Sequence, residues 1–143
     1  MSKPGNYLLF VYGSLLSGFR SPAYEYITRY FDLVSGGRVE GLLYDMGEYP
    51  AAIPAPGSGH LIEGELLRIR NQQEFSWAMA QLDDYEGVLV EAGETRLYRR
   101  ELAEIQVAGG TETAWIYWFN GDVSDRPQIE SGNLLEYRSG RKP

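Results

Sequence analysis

Five consecutive apolar residues, Leu8-Leu9-Phe10-Val11-Tyr12, stop abruptly at Gly13. A run of that length bounded by a glycine has the signature of a buried strand, and the rest of the chain has to be read around it. Eleven tyrosines and seventeen glycines among 143 residues point the same way, to a strand-rich body with tight turns and an aromatic-lined interior. The length suits one ordinary domain, and no stretch reads as a linker that would divide it. The basic residues of 138–143 read as a solvated tail.

Further elements follow along the chain. Ser21-Pro22 is an N-cap followed by proline at the first helical position, and Glu25 favours the positive helix end, so a helix is expected to about Phe31. Val39-Glu40-Gly41-Leu42-Leu43-Tyr44 and Ile62-Glu63-Gly64-Glu65-Leu66-Leu67 each place a Glu-Gly pair inside an apolar segment. Both read as strands of one sheet, with glycine marking a bulge or a close approach. Between them, Ala51 to His60 reads as a proline- and glycine-rich loop. Asn71 is positioned to cap a second helix, with Glu74 completing a capping box. Phe75, Ala78, Met79 and Leu82 form its apolar stripe, and Gly87 stands where such a helix ends. Leu97 to Val107 and Thr113 to Phe119 then read as a hairpin turning at Gly109-Gly110, and residues 122–137 as a segment packed over the sheet.

Composition removes several function classes. A formal net charge of −7 argues against binding a phosphate backbone. With no cysteine there is no disulfide framework, thiolate nucleophile or cysteine zinc site. No segment approaches bilayer-spanning length, so no membrane association and a cytoplasmic location are expected. His60 is the single histidine, which rules out a histidine-rich metal site within one chain; in its loop it reads as a solvated residue. Ser14 follows a strand and a glycine, but a serine nucleophile needs a neighbouring base, and His60 is distant in sequence.

Two places remain for chemistry. Tyr12-Gly13-Ser14-Leu15 is, by spacing, a strand-ending turn; it is equally a turn whose successive backbone N–H groups could bind a carboxylate or an oxyanion. Asp83, Asp84 and Glu86 crowd three acids at the negative end of the second helix. They read either as a solvated acidic helix end or as a local cost retained for function. Tyr98 and Arg100, two apart, share a strand face, as do Trp115, Tyr117 and Phe119; sheet packing explains either set, against a cavity wall for the first and a ligand cage for the second.

Taken together, Val11-Tyr12-Gly13-Ser14-Leu15 and Leu82-Asp83-Asp84-Tyr85-Glu86-Gly87 resemble the γ-glutamylcyclotransferase-like family, in the branch of γ-glutamylamine cyclotransferases and AIG2-like proteins. Gly41-Leu42-Leu43-Tyr44-Asp45, Gly47-Glu48-Tyr49-Pro50, Gly64-Glu65-Leu66, Tyr98-Arg99-Arg100 and Ile129-Glu130-Ser131-Gly132 match in the same order. Leu134 stands where an aromatic residue often follows the last of these. The resemblance implies an α+β fold, a small mixed β-barrel with flanking helices. It also implies a small-molecule γ-glutamyl substrate and no metal or organic cofactor. Tyr12, Gly13, Ser14 and Leu15 would form the substrate-holding loop and Glu86 would be the general acid/base. Tyr49, Tyr98 and Arg100 would stand behind them in the cavity wall.

Overall fold

Strand β1 (Leu8–Val11) is buried along its whole length. The computed structural model of the chain describes residues 7–12, 22–46, 50–86, 98–134 and 137, with the side chains of 22–24 and 84–86 outside that description. Within it, β1 has neighbours on both edges: it runs antiparallel to β4 (Leu61–Ile69) and parallel to β6 (Gly110–Phe119). Successive side chains of a strand point to opposite faces, so a continuous apolar run needs a core on each side. Leu9 and Val11 enter one core, while Leu8, Phe10 and Tyr12 enter the other.

The second of these cores is the inside of a barrel. Strand order β2-β4-β1-β6-β5 is closed where Arg38 of β2 (Phe31–Asp45) pairs with Gln106 of β5 (Tyr98–Val107). All five strands send side chains inward, among them Phe10, Val39, Leu66, Ile105 and Ile116. The parallel β1–β6 contact among otherwise antiparallel pairs makes the barrel mixed. The first core lies outside the barrel wall, where α1 (Pro22–Tyr30) and α2 (Phe75–Glu86) cover it with Ile27, Ala78, Met79 and Leu82. The fold is the expected α+β arrangement of a small mixed barrel with flanking helices.

Local signals hold in several places. Asn71 accepts a hydrogen bond from the Gln73 amide at 3.0 Å and caps a 3₁₀ turn, Gln72–Glu74, that leads into α2. Ala78, Met79 and Leu82 are buried as their spacing requires, and Phe75 packs its ring edge-on against Tyr7. The β5–β6 hairpin turns at Gly109, whose φ of 87° favours glycine. Residues 122–134 and Tyr137 lie over one end of the barrel. There Gln128 bridges to Tyr44, the Ile129 amide donates to the Leu43 carbonyl at 2.7 Å, and Tyr137 donates to Asp45 at 2.8 Å.

Two expectations need correction. Ala51 to His60 is not all loop: β3 (Pro50–Pro54) pairs with Gly41–Asp45 of β2, with its prolines at the two strand ends, where a missing N–H is tolerated. The first helix ends at Tyr30, close to where it was expected, but β2 begins at once at Phe31, a strand of 15 residues that reaches well ahead of Val39. Its first half is largely exposed and contains Gly36-Gly37, so it lacks the apolar pattern of a strand. Of the two readings offered for the glycine of the second Glu-Gly pair, the structure shows the close approach. A Cβ on Gly64 would lie 2.2 Å from the Val11 carbonyl oxygen, while the irregularity in pairing falls between Leu33 and Ser35. Ser21 and Gly87, expected at helix ends, lie outside the described residues, as does Leu97.

Candidate active site at the end of helix α2

The acidic end of α2 is not simply solvated. Asp83 is 6% exposed, and it is the buried charged residue among those described. Arg100 grips it with two parallel hydrogen bonds, Nε to Oδ1 at 2.7 Å and Nη2 to Oδ2 at 2.9 Å. The Tyr117 hydroxyl adds a third, donating to Oδ1 at 2.8 Å. Arg100 and Tyr117 are direct partners across the β5–β6 ladder, so two strands converge on one helix carboxylate. The Arg100 guanidinium also lies 4.6 Å from the centroid of the Trp115 ring, a cation–π contact from the next residue on the same face of β6.

The electrostatics follow from this packing. Burial works against the charge on Arg100. The hydrogen bonds and negative charge of Asp83, with the Tyr117 hydroxyl, outweigh that and hold the guanidinium's pKa above its ordinary value. Paired and hydrogen-bonded, Asp83 avoids the penalty that an isolated buried carboxylate would carry. Its burial was legible in part: Asp83 falls four residues after Met79, on the edge of the apolar stripe. Its partners were not, because they come from strands 17 and 34 residues further along.

The other expected site residues divide into three groups. Tyr12 is buried on the barrel side, and its hydroxyl donates to the backbone carbonyl of Tyr117. Tyr117 therefore holds Tyr12 through its main chain and Asp83 through its side chain. Tyr98 is also buried, but its hydroxyl donates to the Pro50 carbonyl at 2.7 Å and its ring stands edge-on to Phe119. In the structure described, Tyr98 ties β5 to β3. Glu86 is the last residue of α2, three positions beyond Asp83, and its side chain is outside the description. Gly13, Ser14, Leu15 and Tyr49 lie outside the described residues. Of the aromatic trio on β6, Tyr117 and Phe119 belong to the helix-covered core, and Trp115 is half-buried under Arg100.

Among the described residues no group of three or more histidine, aspartate or glutamate side chains is placed to hold a metal ion, and no helix is long and apolar enough to cross a membrane. His60 is exposed, as its loop predicts. A separate depression of about 470 Å³ lies at the barrel seam, between Gly36-Gly37-Arg38, Gly64 and Gln106; its described lining includes neither Asp83 nor Arg100.

The chain resembles known proteins in sequence and in fold. Residues 9–136 match the family model described as gamma-glutamyl cyclotransferase, AIG2-like. The gamma-glutamylcyclotransferase family protein ytfP of Citrobacter rodentium is 36% identical over 94 residues, 66% of this chain and 67% of its own length. YtfP of Escherichia coli strain K12 is 35% identical over the same shares. Among solved structures, that of ytfP from Escherichia coli superposes with a TM-score of 0.60 at 30% identity, covering 92% of this chain and 98% of that one. A mouse aig2-like protein superposes with a TM-score of 0.63 at 23% identity, covering 87% and 86%. YkqA from Bacillus subtilis reaches a TM-score of 0.70 at 21% identity over 96% of this chain, which spans 44% of the length of YkqA.

Proposed function

This chain belongs to the gamma-glutamyl cyclotransferase, AIG2-like family, and we propose that it is an enzyme that cyclises a γ-glutamyl amine or γ-glutamyl amino acid to 5-oxoproline. In this reaction the α-amino nitrogen of the substrate attacks its own γ-carbonyl carbon, and a five-membered ring closes. The bond to the leaving nitrogen breaks, and the proton lost by the attacking nitrogen is balanced by the proton gained by the departing amine. Because attack is intramolecular, the protein has to hold a near-attack conformation and move protons, and neither task calls for a cofactor.

Glu86 is the group assigned to that proton transfer. A positioned acid/base of this kind contributes roughly 10²–10⁴-fold in rate. Tyr12, Gly13, Ser14 and Leu15 are assigned to substrate holding, with backbone N–H groups of the turn facing the carboxylate or the developing oxyanion, each well-aimed donor being worth on the order of 3 kcal/mol. Arg100, Tyr98 and Tyr49 are assigned to the wall behind. The chain acts, on this reading, as one cytoplasmic domain.

One observation supports bringing these parts together. Tyr12, the first of the four residues assigned to substrate holding, and Asp83, three residues before Glu86, are both hydrogen-bonded to the same residue, Tyr117. The test is direct. The protein is incubated with a panel of γ-glutamyl amines, γ-glutamyl amino acids and glutathione, and 5-oxoproline is followed by mass spectrometry. Release from at least one substrate is expected, with near-complete loss in Glu86→Gln. Turnover that survives in Glu86→Gln removes the role given to that carboxylate. Tight ligand binding with no product would instead identify a small-carboxylate-binding module.

A further inference from the structure

Asp83 combines three unfavourable circumstances. It is buried, it stands near the negative end of a helix, and its chain neighbours include Asp84 and Glu86. A buried ion pair is weak evidence of stability, since apolar residues of similar volume often do as well or better. What such a pair does provide is direction. A bidentate guanidinium–carboxylate contact fixes both groups in a plane, and the Tyr117 hydroxyl at 2.8 Å fixes the remaining freedom. The anchor points are main-chain neighbours in a closed barrel, Arg100 opposite Tyr117 in the ladder, so they cannot shift independently. Tyr12 hangs from the carbonyl of that same Tyr117.

We infer that Asp83, Arg100 and Tyr117 form a positioning unit that sets the last turn of α2, and with it Glu86, at a fixed place relative to Tyr12. The inference rests on the proposed role of Glu86 and deepens it. The role inferred for these three residues is to position, not to react. They act through the backbone of α2 on one side and through the Tyr117 carbonyl on the other. Residues three apart on a helix share a face, so locking Asp83 locks the Glu86 position within less than one turn. In an intramolecular cyclisation a base displaced by about 1 Å can cost as much as 10²-fold in rate. Binding affinity, which does not need the base, is largely spared by the same displacement.

The test uses the full chain and two mild variants. Tyr117→Phe removes one hydroxyl and keeps the ring and the carbonyl that holds Tyr12. Arg100→Lys keeps the charge and removes the fork. In each, kcat for 5-oxoproline release is expected to fall about tenfold or more while KM stays within about twofold, the pattern of a misplaced proton-transfer group. Hydrogen exchange of the amides over residues 82–86 should quicken, with the rest of α2 and the barrel unchanged. If Glu86→Gln abolishes turnover but both variants keep the wild-type kcat, the positioning unit is refuted and the role of Glu86 stands. If Glu86→Gln stays active, or the wild type releases no 5-oxoproline, the functional reading fails; unchanged exchange at 82–86 in the two variants then overturns the positioning unit on its own.

Discussion

Replacing Arg100 by methionine should lower the stability of the fold by about 3 kcal/mol, and the structure says where that figure comes from. The substitution keeps an unbranched stem to pack on Trp115 but removes both hydrogen bonds to Asp83. The Asp83 carboxylate, with its side chain 8% exposed, then retains the Tyr117 hydroxyl as its partner. Breaking a buried ion pair from one side costs roughly 3–5 kcal/mol, most of it the penalty of the charge left behind. Arg100 is itself 23% exposed, so water reaches the vacated edge, which favours the lower end of that range. With an unfolding entropy of roughly 2.1 cal/mol/K per residue, a chain of 143 residues should lose on the order of 10 °C in Tm. Urea unfolding followed by circular dichroism reads the change as a shift in midpoint at constant slope. The companion variant Asp83→Leu/Arg100→Met/Tyr117→Phe removes the whole polar cluster at once and should return to within about 1 kcal/mol of wild type, because no buried group is left unpaired. A single variant within about 0.5 kcal/mol of wild type would refute the reasoning, since a surface substitution has that effect. So would a triple variant no more stable than the single one, which would assign the loss to packing of the arginine stem and not to the orphaned carboxylate.

Two more outcomes follow from other parts of the fold. Gly64→Ala places a methyl group 2.2 Å from the Val11 carbonyl oxygen and 2.7 Å from the Phe10 ring, so strands β1 and β4 must separate. A loss of about 2 kcal/mol or more is expected by the same unfolding measurement. Gly36→Ala is its control: among the described residues the new methyl meets only the Gly64 carbonyl oxygen, at 3.8 Å, and the change should be neutral or slightly stabilising. At alkaline pH, Tyr26 sets a dependence whose sign is fixed by its surroundings. Burial, and to a smaller extent Tyr30, hold its hydroxyl above the ordinary value of 10.0, and the hydroxyl donates to the Ala78 carbonyl at 3.2 Å. A folded-state pKa above the unfolded one means that this contribution is complete below pH 10 and is lost as pH rises through the folded value. Thermal melts from pH 8 to 11 should therefore show an alkaline decline in wild type that is smaller in Tyr26→Phe; equal slopes in the two proteins would contradict it.

Much of the architecture is local in origin and could be read along the chain. The unbroken run from Leu8 to Tyr12 demanded two covered faces, and it lies between a barrel interior and a helix-covered wall. Asn71 began a helical segment, Gly109 turned a hairpin, and Ile129 and Leu134 were buried against the sheet. Each of these depends on one residue's own backbone preference or on a period of two or 3.6, which neighbours in sequence display. The first half of β2 was missed because pairing on its edges, and not an apolar pattern, makes it a strand.

The candidate site divides along the same line. The crowding of Asp83, Asp84 and Glu86 at a helix end, and the motifs shared with a family, were visible without coordinates. That Asp83 is buried, and against what, was not. Asp83 acquires Arg100 and Tyr117 only when β5 and β6 pair in register and α2 lies across them, and Tyr12 reaches Tyr117 across 105 residues of chain. A carboxylate's cost in isolation is set by its own chemistry, whereas the partners that offset it are chosen by the closure of the barrel. Sequence therefore supplied the charged group at the end of α2, and the tertiary structure decided that it would be an anchor.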